Sequence, residues 1–123
     1  MKKALTVGNL LIFVGVLHFV LGISVDPFKL GTLEILKKGF FNTVGRTTPT
    51  TALAFWYHVA GGAYVLMGLL CNSYERDAQR PIPGIFGWAL LILSVFAVGM
   101  APQGGFWGGI AIAGAILWKA RKA

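Results

Sequence analysis

Four stretches of the chain, Leu5 to Val25, Thr51 to Cys71, Pro83 to Met100 and about Gly105 to Trp118, contain no Asp, Glu, Lys or Arg. A helix rises ~1.5 Å per residue and a bilayer's hydrocarbon core is ~30 Å thick, so the longer stretches match a membrane crossing, and the shorter ones match it with help from flanking aromatics. The remaining residues cannot build a soluble surface: 56% of the 123 residues are hydrophobic and only 12% are charged, about half the usual charged share. The sequence therefore predicts an all-α polytopic membrane protein, a compact bundle of four transmembrane helices forming one domain over residues 1–123, with an interfacial amphipathic segment between the first two.

The boundaries carry matching punctuation. Thr48-Pro49 caps and begins the second helix, Pro81 and Pro83 precede the third, and Ala101-Pro102-Gln103-Gly104 makes a tight turn before the fourth. Trp88, Trp118 and Tyr74 fall at one predicted interface and Trp56, Tyr57, Phe106 and Trp107 at the other, the pattern of an aromatic belt. Lys2, Lys3, Arg76, Arg80, Lys119, Arg121 and Lys122 lie on one side of this topology, against Lys29, Lys37, Lys38 and Arg46 on the other. That bias places both termini and the Asn72 to Ile82 loop in the cytoplasm, with the protein in the inner membrane. The first apolar stretch follows Met1-Lys2-Lys3 as a secretory signal would, but runs to about Val25, beyond the ~7–15 residues of a signal's apolar region. It reads as a retained helix, with cleavage after Ser24 as the alternative.

The net charge of +7 is spread over the ends of apolar segments rather than gathered into an aromatic-interleaved patch, which argues for anionic lipid headgroups and against nucleic acid. The lone cysteine, Cys71, permits no intrachain disulfide and sits in no metal-spaced motif. The segment over about residues 28–44 has a helical pattern of its own: Leu30, Leu33, Leu36, Phe40 and Val44 share a face, and Glu34 and Lys38 pair at i, i+4. It reads as an interfacial connector, with a substrate gate as the sharper alternative. The inverted repeats common in transporters are missing.

Lipid does not press helices together by hydrophobic force, so tight packing requires small residues. Gly8, Gly15 and Gly22 recur at sevens on the first helix, Ala54, Gly61 and Gly68 on the second, and Gly87, Ser94 and Ala101 on the third; the fourth carries Gly104, Gly105, Gly108, Gly109, Ala113 and Gly114. His18 shares the glycine-bearing side of its helix with Gly15 and Gly22, and His58 lies between Ala54 and Gly61. Both histidines should face other helices at similar depth, nearer the non-cytoplasmic side. Each imidazole then needs a partner. Three readings stay open: interhelical glue through each other, a carbonyl or a hydroxyl; a proton-handling or substrate-contacting pair; and axial ligation of a haem b, with Gly15, Gly22, Gly61 and Tyr64 lining the pocket. Two histidines alone make a poor zinc site, and the metal question is otherwise open. Thr6, Asn9, Ser94 and Tyr64 are suited to hydrogen bonding between helices. The four acids, Asp26, Glu34, Glu75 and Asp77, all lie outside the apolar stretches, so no catalytic constellation is expected.

Several short motifs carry a resemblance: Gly15-Val16-Leu17-His18, Asn42-Thr43-Val44, Ala54-Phe55-Trp56, Gly87-Trp88-Ala89-Leu90-Leu91, and Pro102 followed by Gly105-Phe106-Trp107. With these, the chain resembles a bacterial family of small four-helix membrane proteins known only as a domain of unknown function. The likeness spans nearly the whole chain and implies that fold without an established activity.

The first functional reading is a small-molecule or lipid-binding protein or an accessory subunit, whose partners are the bilayer, an apolar small molecule or lipid, and either further copies of itself or a larger membrane complex. The second is a haem-binding or proton-coupled redox protein using His18 and His58. The third is a small transporter or channel, disfavoured because no acid is embedded in the apolar stretches.

Overall fold

The computed structural model describes residues 5–39, 48–100, 102 and 106–123. Over these residues the protein is all-α, with five helices in the order α1 (Val7–Ser24), α2 (Phe28–Lys37), α3 (Pro49–Ala78), α4 (Gly84–Met100) and α5 (Trp107–Lys122). Two of them, α1 and α3, are long and apolar enough to cross a membrane.

Local chemistry explains most of the boundaries. Thr6 caps α1, its hydroxyl accepting from Asn9 N at 3.0 Å, and Pro27 stops the helix from running on into α2. Gly39 closes α2 with φ +86°; Lys38 N bonds Glu34 O and Gly39 N bonds Leu36 O, both at 3.1 Å. Thr48 starts α3 as the sequence predicts, with Thr51 N and Ala52 N returning to its hydroxyl and carbonyl and Pro49 in the first helical position.

Three boundaries differ from the sequence expectation. The expected loop from Asn72 begins as helix: α3 runs to Ala78, because Glu75, Arg76 and Ala78 propagate a helix well, and it stops where Gln79 turns left-handed (φ +52°) two residues before Pro81. Helix α5 begins at Trp107 and continues past Trp118 to Lys122, its last turn carrying Lys119, Arg121 and Lys122 against the negative end of the helix dipole. Helix α2 ends at Lys37, short of the predicted 44; Phe40 and Val44, like Ala101, Gly104 and Gly105, lie outside the described residues.

The chain divides into two compact units, Met1–Leu11 with Met67–Ala123, and Ile12–Leu66. In the first, the buried apolar residues are Val7, Leu11, Ile82, Ile112, Ala113 and Ile116. Helix α4 lies along α5 on small residues: a Cβ at Gly87 would stand 2.8 Å from Leu117 Cγ, and Gly109 leaves room for the buried Ser94 hydroxyl. Gly8 meets Gly68 and Asn72, and a polar clasp closes that end, with Thr6 Oγ1 donating to Asn72 Oδ1 (2.8 Å) and Asn72 Nδ2 to Asn9 Oδ1 (2.9 Å). The large residues point outward: Ile85, Ile92, Phe96 and Met100 of α4 are each about two-thirds exposed or more. At the α4–α5 contact small residues let the two backbones approach, while the large apolar side chains of α4 face outward.

In the second unit α1, α2 and α3 meet. Gly15 allows backbone contact between α1 and α3, since a Cβ there would stand 2.6 Å from Gly61 O. Helix α2 buries Gly31 and Ile35, with Gly31 seated on Thr50 and Ala54 of α3. Its Leu30, Leu33 and Leu36 face outward.

Candidate functional site

The inner side of α2 presents Phe28, Gly31, Thr32 and Ile35, the i, i+3, i+4, i+7 spacing of one helical face. Phe28 and Thr32 bring both histidines into one neighbourhood of the α1–α2–α3 unit. The Phe28 ring stacks on Tyr57 of α3 with centroids 3.9 Å apart, Tyr57 stacks on His18 of α1 at 4.7 Å, and His18 meets Tyr64 of α3 at 5.3 Å. Four rings from three helices form a continuous ladder. Tyr57, which the sequence places in an interfacial aromatic belt, is half-buried and stacked between Phe28 and His18.

His18 Nδ1 lies 2.9 Å from Val14 O, and a carbonyl only accepts, so Nδ1 carries the proton and Nε2 is left as an acceptor beside Tyr57 and Tyr64. Among the described residues neither tyrosine hydroxyl has a hydrogen-bond partner, and both side chains are half-buried.

His58 has the opposite tautomer. Thr32 Oγ1 lies 3.0 Å from Gly22 O, 2.9 Å from Phe28 O and 3.0 Å from His58 Nε2. The hydroxyl has one proton and the two carbonyls require it, so His58 Nε2–H donates to Thr32 Oγ1. His58 Nδ1 is then a bare acceptor, buried and without a partner among the described residues. Gly22 makes room for this ring, because a Cβ there would overlap it, and Phe19 stacks against it at 5.7 Å.

The structure thus gathers all six predicted site residues, His18, His58, Gly15, Gly22, Gly61 and Tyr64, into the α1–α2–α3 unit. It does not join the histidines to each other. His58 stands opposite Gly22, whereas His18 packs on Gly61, whose Cβ position would lie 2.9 Å from His18 Cβ. One imidazole bonds a carbonyl and the other a hydroxyl.

Paired axial ligation of a haem does not fit this geometry. It needs both Nε2 atoms aimed into one apolar slot, but His58 Nε2 is engaged by Thr32 and the backbones of α1 and α3 touch at Gly15 and Gly61. Among the described residues no three or more His, Cys, Asp or Glu side chains gather where a metal ion could be held.

Thr32 and Phe28 are the functional candidates that sequence reasoning missed. The signal was present in the spacing of residues 28, 31, 32 and 35, but the leucine face of the same helix is the more conspicuous pattern. Near the end of α2, Lys38 Nζ bonds Glu34 Oε1 at 2.6 Å and Thr48 Oγ1 donates to Glu34 Oε2 at 3.1 Å, tying α2 to the cap of α3. The Lys38 hydrogen bond, reinforced by Thr48, holds the Glu34 carboxyl below its ordinary pKa.

No curated protein and no solved structure matches the chain. A family profile, that of a family of unknown function (DUF6463), matches residues 2–123, and the protein belongs to that family.

Proposed function

We propose that this protein is a multi-pass protein of the cytoplasmic membrane that acts by binding: α1, α3, α4 and α5 span the bilayer, α2 lies in the interface, and the α1–α2–α3 unit holds an apolar small molecule or lipid. The other form of this reading is that the protein is itself an accessory subunit of a larger membrane complex. The spans of α4 and α5 are supported by the large apolar side chains that α4 turns outward and by Trp107 and Trp118 towards the ends of the apolar part of α5. The excess of Lys and Arg among residues 2–3, 76–80 and 119–122 over that among residues 29–46 supports cytoplasmic termini.

The observation that carries the binding reading is the Phe28–Tyr57–His18–Tyr64 ladder. A wall of polarisable rings with two hydroxyls unengaged among the described residues and one imidazole acceptor suits a ligand with a flat or chain-like apolar body and a single hydrogen-bonding group. Native mass spectrometry from mild detergent tests it. A retained apolar molecule that is lost in Tyr57→Ala and Tyr64→Ala is the expected result; a bare protein under every mild condition overturns the reading.

A proton-coupled role for the histidines has one observation in its favour, the bare, buried Nδ1 of His58. Proton flux in proteoliposomes that disappears in His58→Gln supports it, and unchanged flux in that variant removes it.

A further inference from the structure

The first unit contains a basic hollow that neither the histidine site nor helix packing uses. An open cleft of about 560 Å³ lies between the end of α3, the 79–83 linker and the last turn of α5, lined by Glu75, Gln79, Arg80, Trp118, Lys119 and Lys122. Three cationic side chains face one acidic side chain there. Among the described residues none of the three cations has a carboxylate partner, whereas nearby Arg76 is paired with Asp77 at 3.0 Å. Lys119 Nζ donates to Leu5 O at 3.2 Å, and Lys122 Nζ sits 4.2 Å above the Trp118 ring.

The dipole of α5 accounts for Lys119 and Lys122, which occupy its last turn. It does not account for Arg80, which follows the left-handed Gln79 and lines both this cleft and a second hollow beside it, bounded by Tyr74, Pro81, Ile82 and Gly84. A guanidinium and ammonium groups converging on one hollow complement a phosphate. The cleft also has apolar lining in Pro81 and in the exposed ring of Trp118. A phosphate there would meet an apolar indole as well as cations, which suits a phosphate that carries acyl chains.

We infer that this cleft is the headgroup site of an anionic phospholipid, with Arg80 and Lys122 on the phosphate and Trp118 bounding it at the depth of the bilayer interface. The inference rests on the membrane-spanning reading above but not on the ring ladder.

The test uses the full chain in nanodiscs of mixed phosphatidylglycerol and phosphatidylcholine with identical acyl chains, and native mass spectrometry of the lipids it retains. The wild-type protein retains phosphatidylglycerol preferentially. Near a membrane surface each Lys or Arg is worth enough that removing two, in R80Q/K122Q, lowers the preference by about tenfold or more. The control K29Q/R76Q removes two cations outside the cleft and leaves the preference in place. An equal fall in both variants, or no preference in the wild type, overturns the site. Displacement of the lipid by water-soluble glycerol phosphate would assign the cleft to a soluble phosphate and likewise overturn it. A chain that does not enter nanodiscs at all would overturn the membrane-spanning reading itself.

Discussion

A single hydroxyl, Thr32 Oγ1, joins the carbonyl of Gly22 on α1, the carbonyl of Phe28 on its own helix and the ring of His58 on α3. Thr32→Val keeps the shape but removes the acceptor for His58 Nε2–H, leaving both ring nitrogens unpartnered. The expected cost is about 1–3 kcal/mol, while Thr32→Ser retains most of the stability; denaturant titration in detergent, followed by tryptophan fluorescence, measures both. Glycines separate just as sharply. In Gly15→Ala the new methyl meets the backbone carbonyl of Gly61 and should cost about 1–3 kcal/mol by overpacking, whereas Gly114→Ala, with nothing within 4 Å, should be neutral or mildly stabilising in the same titration. The glycines at contacts were legible because a repeat of seven keeps one side of a helix in line. Their partners were not, since a repeat shows which side packs but not whether an imidazole, a carbonyl or a hydroxyl stands opposite.

At the level of elements, α2 is held by a polar tie as well as by its buried face. The Glu34 carboxyl lies below its ordinary pKa, so its contribution is complete above the unfolded value and is lost as pH falls through the lowered, folded value. Amide protection in α2, corrected for the intrinsic exchange rate at each pH, should therefore fall at acid pH in the wild type, while Glu34→Gln shows lower protection already at neutral pH and little further change on acidification. Thr48→Ala should cost about 1 kcal/mol through loss of the α3 cap, as measured by the same exchange at residues 50–52. The start of α3 was readable from Thr48-Pro49 because a cap is local chemistry. Its end was not: the polar run from Asn72 to Asp77 suggests a loop, yet the helix continues while Asn72 bonds Thr6 and Asn9, partners more than sixty positions away in sequence.

For the whole molecule, the proposed topology makes a prediction that does not depend on the ligand. With Cys71 replaced by Ser, single cysteines at Gln79 and Lys122 should resist a membrane-impermeant maleimide in intact cells and react after permeabilisation, whereas one at Gly39 should react from outside. Reaction of Gln79Cys and Gly39Cys from the same side would dismantle the four-span arrangement. The apolar stretches made the helices legible from composition alone. The arrangement of the site was not legible, because it depends on α2 turning Phe28 and Thr32 inward and its leucines outward, and amphipathicity permits either side to be read as the important one.

Helix α3 is 30 residues long, and at ~1.5 Å per residue it measures about 45 Å against a hydrocarbon core of ~30 Å. If α3 spans the bilayer as proposed, the surplus appears as tilt or as protrusion, and the polar composition of its last turns, Asn72 to Asp77, favours protrusion. In a thicker bilayer the same rod would sink or straighten, drawing Arg80 towards the headgroups; in a thinner one it would lift Arg80 away. On that proposed topology, bilayer thickness would set the occupancy of the basic cleft.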